Sequence, residues 1–308
     1  MDYKQLPAMI SLLDDSDTEV VSIVEAQLLG EGISIVPELE QAWFSLSEGP
    51  IAGRLAEIIS EIQHRDICQA FAAIWSTPSI SLLKTWICLS RVQSPQLVDV
   101  EVRLAINEIK LDAWTQFGSL KDPVQQITVL NDVLFRQRQF QGNSSQYHAI
   151  ENSLIHETLK RKVANPISLS MLYVIVGQSL GLPVFGVNLP QHFIVAYCEM
   201  QKPPLREGIY EQEMLKVEYV QAPLFYINPF SKGQIFKKES LDAFLKVVDV
   251  SPQEMFYSPC DEREIAKRVL RNMHHSYGQV HQVEKQIQVR DLMRIAGMED
   301  EWPLQSND

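Results

Sequence analysis

From Val163 to Cys198 the chain carries no Asp, Glu, Lys or Arg, although 21% of its residues are charged. Ionised side chains are almost never fully buried unless paired, so a long charge-free run in a charged protein marks its interior. Within that run Asn165 is a good N-cap, and Pro166 suits the first helical position, where a missing N–H costs nothing. Apolar residues from Ile167 to Leu180 fall on nearly every side, which predicts a helix that is surrounded rather than half exposed. Gly181 supplies a C-cap and Pro183 stops any continuation. Val184 to Leu189 and His192 to Tyr197 are rich in β-branched and aromatic residues and predict two strands joined at Pro190-Gln191. A membrane span fails here on length, because Gln178 and Gly181 break the run short of the roughly 18 to 20 residues needed.

Four short blocks follow one another in and after this run: Asn165-Pro166-Ile167-Ser168-Leu169-Ser170, Leu180-Gly181-Leu182-Pro183, Gly186-Val187-Asn188-Leu189-Pro190-Gln191-His192-Phe193 and Ile227-Asn228-Pro229-Phe230. Their order and spacing resemble the SirB-type branch of the transglutaminase-like superfamily, over about Leu130 to Phe236. The resemblance implies a papain-like fold in which active members place a Cys at the start of the central helix, a His on the next strand and an Asp on the one after. A helix N-terminus lowers the thiol pKa, the His keeps the thiolate paired, and the carboxylate orients the imidazole.

In this chain the resemblance puts Pro166 at the nucleophile position, His192 at the histidine and Asn228 at the orienting acid. Asn can still orient an imidazole, but proline offers no nucleophile. Cys198 lies on the same strand face as His192, roughly 20 Å away at about 3.3 Å per residue, beyond contact. Cys68, Cys88 and Cys260 lie outside the run and are expected to act as small hydrophobes. Ser168 is the alternative nucleophile, in a Ser168, His192 and Asn228 set; its competing role is to bond the free amides of its own helix. His192 is either a core residue with a satisfied ring or part of a cleft. Asn165, Asn188 and Gln191 are candidate pocket-lining amides, and the last two could instead cap the turn.

The rest of the chain predicts an α+β, predominantly helical protein. Residues 1-95 form a helical N-terminal region, 96-250 a transglutaminase-like domain with a small antiparallel sheet, and 251-308 a helical C-terminal tail. Leu6 to Trp43 resemble one HEAT-type helical pair, with Asp14-Asp15-Ser16-Asp17 as its turn. Helices are expected at Pro50 to Ile62, Asp66 to Trp75, Ser79 to Arg91, Gln96 to Gly118, Asp122 to Arg138 and Asn152 to Lys162. Trp43, Trp75 and Trp86 are expected as core anchors, and Phe140 to Tyr147 as a loop at the domain's entrance. Glu199 to Gln221, with Pro203-Pro204, is expected to run over the surface; Leu224 to Pro229 and Gln234 to Lys237 resume strand character. Asp261 opens a helix that continues to about Ile295 with a break near Gly278.

A formal net charge of −12 argues against non-specific nucleic-acid or anionic-membrane binding. No phosphate-cradling Gly-rich loop and no zinc framework of cysteines is present, so no cofactor and no metal is expected. His274, His275 and His281 are expected on a solvated face. The opening Met1-Asp2-Tyr3-Lys4-Gln5 leads into no signal-peptide core, which points to the cytoplasm. The function expected is that of a catalytically silent, regulatory or protein-binding module with a protein partner; the alternative is a hydrolase or acyltransferase working through Ser168.

Overall fold

The computed structural model describes residues 5–46, 48–201 and 215–298, so Met1 to Lys4 and Pro203-Pro204 lie outside the described residues. The chain divides into two compact units, Met1–Ala73 and Ile74–Asp308.

The first unit is helical: α1 (Leu6–Ser11), α2 (Thr18–Glu31), α3 (Val36–Ser45) and most of α4 (Pro50–Trp75). The two helices expected between Pro50 and Trp75 are one, because no residue from Gln63 to Arg65 interrupts helical propensity. Thr18–Ser45 as a whole has the length and apolar character of a bilayer-spanning helix. It folds instead as α2 and α3 parted at Gly32, whose φ of 70° suits glycine and ends α2. Val24, Leu28, Val36 and Leu39 turn into the unit's core with Leu13, Leu55 and Ile58. Trp43 is not the anchor expected: it is 38% exposed, its indole N–H donating to Ala52 O.

The second unit is organised around α9 (Pro166–Ser179). Before it come α5 (Leu82–Ser90), α6 (Asp99–Phe117), α7 (Pro123–Asn131), β1 (Gln141–Gly142), α8 (Ile155–Arg161) and β2 (Val163–Ala164). After it come β3 (Val184–Leu189), β4 (His192–Met200), β5 (Val220–Asn228), β6 (Gln234–Phe236), α10 (Lys238–Val247), α11 (Glu262–Gln279) and α12 (Val283–Ile295). The strands β3, β4, β5 and β6 form one antiparallel sheet in sequence order. The loop expected at Phe140 to Tyr147 is partly ordered as β1, which pairs in parallel with β2.

The α9 helix starts and stops as its sequence dictates. Asn165 Oδ1 accepts from the Ser168 amide at 3.0 Å, and Pro166 fills the first position. At the other end the amides of Gly181 and Leu182 return to the carbonyls of Gln178 and Gly177, each at 3.0 Å, with Gly181 at φ 80°. This is the Schellman arrangement, and it leaves few helix-end groups without partners.

One face of the sheet carries Phe185, Val187, Ile194, Ala196, Cys198 and Tyr226, which bury against Leu241 and Leu245 of α10. The opposite face meets α9, where Ser170 Oγ donates to Phe193 O at 3.3 Å. α5, α6 and α11 also pack on α9. Trp86 of α5 is fully buried and donates to Ser153 O at 2.7 Å, while Ser90 Oγ accepts from the Ile155 amide that opens α8. Trp75 is partly exposed, with the Arg263 guanidinium 4.8 Å from its ring centre.

Helix and sheet approach closely at Gly177, where a Cβ would lie 2.5 Å from Val184 Cγ2. Val184 is stiff at χ1 and fully buried, so it cannot swing away. Gly177→Ala is therefore expected to destabilise the protein by about 1–3 kcal/mol despite alanine's better helix propensity. Chemical denaturation reads the loss, and a second change, Val184→Ala, is expected to couple with it and return part of the overlap cost.

Candidate functional site

The start of α9 opens onto a cavity of about 500 Å³. One wall is Asn165, Pro166 and Ile167; a second is Gln191, His192 and Phe193 from the β3–β4 turn; a third is Arg268, Asn272, His275 and Ser276 on α11; Tyr147 and His148 close the edge.

Each wall is fixed by local structure. Asn165 uses both ends of its amide, Oδ1 capping α9 and Nδ2 donating to Ser153 Oγ at 3.1 Å, which sets its orientation. Gln191 turns the chain from β3 to β4 with φ 57°, a left-handed conformation that presents His192 at the strand's start. Tyr147 and His148 are held by two amides beneath them: Asn143 Nδ2 donates to Asn152 Oδ1 at 3.0 Å, and Asn152 Nδ2 donates to the carbonyls of Gln146 and Tyr147. The Tyr147 hydroxyl reaches across to Gln191 O at 3.4 Å.

His192 Nε2 lies 3.3 Å from Asn228 Oδ1, so the imidazole donates there in the tautomer with Nε2 protonated. Its ring sits between Phe230 and Phe244, with ring centres 6.1 Å away in each case. Burial pushes its pKa below the ordinary 6.5, the Asn228 bond opposes the shift, and the Arg268 charge adds to it. The imidazole is therefore neutral near pH 7.

The structure brings Asn165, Pro166, Gln191 and His192 together at one cavity, with Asn228 on the imidazole. It does not bring Ser168 or Asn188 there. Ser168 is fully buried within α9, its amide capped by Asn165, and its hydroxyl has no hydrogen-bond partner among the described residues; the hydroxyl-to-amide bond expected of it is not formed. Asn188 is on the opposite sheet face from His192 and is not among the lining residues, but its Oδ1 accepts from the cavity-wall residue Arg268, Nη1 at 3.5 Å. No cysteine lies within hydrogen-bonding reach of His192 among the described residues. No cluster of metal-ligating side chains is found among them either.

The helix that the sequence predicts from Asp261 is α11, and it forms a cavity wall that the sequence did not assign to it. Arg268, Asn272 and His275 recur at helical spacing between the buried Val269, Met273 and Tyr277. A polar stripe of that kind, on a helix otherwise committed to the core, was the available signal. His275 correspondingly belongs to the cavity wall, and its ring centre lies 5.1 Å from that of His148.

A buried helix whose N-terminus faces a strand histidine, with an amide on the next strand orienting the ring, is the arrangement of papain-like and transglutaminase-like folds. The family model described as "Transglutaminase-like superfamily" matches residues 100–271, more than half of the chain. The chain belongs to the transglutaminase-like superfamily. The match reaches beyond Leu130 to Phe236, taking in α6, which packs on α9, and the part of α11 that carries Arg268. A "UPF0162 protein" of Xylella fastidiosa (strain 9a5c) is 24% identical over 226 residues, 69% of this chain and 70% of that one. "F-box only protein 21" of Pongo abelii is 39% identical over 110 residues, 36% of this chain but 16% of that protein, and its Homo sapiens counterpart is 37% identical over the same length. This chain thus spans a small fraction of the F-box relatives it matches. No solved structure is significantly similar.

Two measurements check the site's electrostatics. Burial raises the thiols of Cys198 and Cys260 to about 12. At pH 8 such a thiol is ionised to about one part in ten thousand, so both are expected to resist iodoacetamide in the native protein and react after denaturation, as read by mass spectrometry. The depressed His192 pKa means that the unfolded chain binds its proton more tightly than the folded one. Stability is then fully present above the unfolded value near 6.5 and is lost as pH falls through the folded one. His192→Gln, which stays neutral, is expected to flatten the fall in unfolding free energy between about pH 7.5 and 5.5. His156 and His274 are shifted the same way and add to the fall.

Proposed function

We propose that this chain is a catalytically silent transglutaminase-like protein of the SirB type, in which the active-site cleft of the fold serves as a binding cavity and the molecule acts as a protein-interaction or regulatory module. The observation that carries this reading is Pro166 on the cavity wall across from His192, where the resemblance puts the nucleophile. The imidazole keeps an orienting amide, Asn228, but has no thiol to deprotonate. The alternative hydrolase would need the Ser168 hydroxyl at the cavity, and the buried position of that side chain speaks against it.

The relatives support a module. A related stretch forms 16% of F-box only protein 21, so domains of this kind are carried in chains of different overall build. Read as a HEAT-type pair, Leu6 to Trp43 would add a helical surface of the sort that recruits proteins. Four free cysteines suit a reducing compartment, and a cytoplasmic location is part of the proposal.

The test is turnover. Glutamine-containing peptides with an amine acceptor, simple amides and activated esters are expected to give the same background rate with wild type and His192→Ala. Turnover above background that His192→Ala abolishes would overturn the proposal, and labelling of Ser168 by a serine-reactive phosphonate would establish the hydrolase in its place.

A further inference from the structure

The cavity beside His192 has a charge character opposite to that of the chain. The protein carries a formal net charge of −12, yet one arginine and three histidines line the cavity, with no aspartate or glutamate among the lining residues. Arg268 is the fixed cation, since a guanidinium stays protonated in proteins. It is half-buried, and burial, followed by the neighbouring Arg271 charge, pulls its pKa down. A cation drawn partly out of water is normally met by a carboxylate. Among the described residues Arg268 has none within ion-pair distance; its hydrogen bond to Asn188 is a long one, from Nη1 at 3.5 Å. Most of the guanidinium's N–H donors are left over.

The groups around it are hydrogen-bonding side chains. Asn272 and His275 lie one and two turns further along α11, and Asn165 and Gln191 stand on the other walls. His192, held neutral by burial, adds polarity without a second fixed charge. One permanent positive charge among hydrogen-bonding side chains, with no carboxylate in the lining, matches a monoanion. A carboxylate fits the planar, two-pronged guanidinium, whereas a phosphate dianion calls for a second cation.

We propose that this cavity holds a small organic carboxylate, its two oxygens paired with Arg268 and its other polar atoms met by Asn272, Gln191 and His192. A volume of about 500 Å³ suits a ligand of the size of an acylated amino acid. The assignment rests on the reading of the cleft as a binding cavity and names what it binds.

The experiment titrates acetate, N-acetylglycine, N-acetylglutamine and succinate into the full chain by calorimetry, each against its uncharged carboxamide, with inorganic phosphate as a further arm. At least one carboxylate is expected to bind more tightly than its carboxamide and than phosphate. Arg268→Gln is expected to weaken that binding at least about tenfold, with Arg268→Lys between the two. Circular dichroism checks the fold of each variant; should Arg268→Gln fail to fold, Arg268→Lys and Asn272→Ala carry the comparison. Equal binding of carboxylate and carboxamide, tighter binding of phosphate, affinity unchanged in the folded Arg268 variants, or no binding by any carboxylate would overturn the assignment. Mass spectrometry of the recovered ligand separates the two proposals. Chemical conversion of a bound carboxylate would sink the silent-domain reading and leave the carboxylate assignment standing, while absence of both binding and conversion would remove the carboxylate assignment alone.

Discussion

A helix buried on all sides must have both ends satisfied by the protein itself, and in this chain that requirement falls on Asn165 at one end and Gly181 at the other. Between them α9 offers Ile167, Leu169, Met171, Leu172, Tyr173 and Val176 to its surroundings, all almost wholly removed from water. At roughly 1.5–3 kcal/mol for each fully buried large apolar side chain, this is a substantial block of hydrophobic stabilisation in the second unit. The sheet on one side and α5, α6 and α11 on others are placed by it. Its one buried phenol is also satisfied, as Tyr173 donates to Asn131 Oδ1 at 2.9 Å and Asn131 in turn donates to Gly233 O. That chain of bonds ties α7 to the β5–β6 turn through the core helix.

The same helix start makes the cavity. A proline at the first helical position removes an amide that would face the cavity and gives no side-chain function in return. What chemistry the cavity has comes from elsewhere: an imidazole kept neutral by its two phenyl neighbours, amides held in fixed orientation, and the α11 guanidinium. Groups of these kinds are suited to binding and orienting a ligand. The thiols of Cys198 and Cys260, outside the cavity, are pushed by burial away from ionisation.

The central element and most of the sheet were legible in the residues. The absence of charge from Val163 to Cys198, the cap residues and the β-branched runs located α9, β3 and β4 closely, since local and tertiary preferences agree there. Legibility failed where a tertiary partner decides. Gln141 and Gly142 carry turn-forming character yet become β1 because Val163 and Ala164 stand ready to pair. Trp43 has the size of a core residue but sits at the surface, its indole bonded to a carbonyl. Ser168 occupies an inviting place in sequence, two residues beyond Pro166, but helical geometry turns it inward. The α11 wall left only a polar stripe on a buried helix as its trace, and a stripe does not say which distant element it faces.

Asn165 belongs at once to the helix start and to the cavity wall, and its amide has no rotational freedom to spare. In a lineage that used this cleft for binding, as proposed, an exchange on the α9 side would unsettle the helix start and the interior together. The other face is made of Tyr147, His148, Arg268, Asn272 and His275, whose tips could change while their backbones stay where the core put them. Selectivity in such a lineage would be written on one bank of the cleft and architecture on the other.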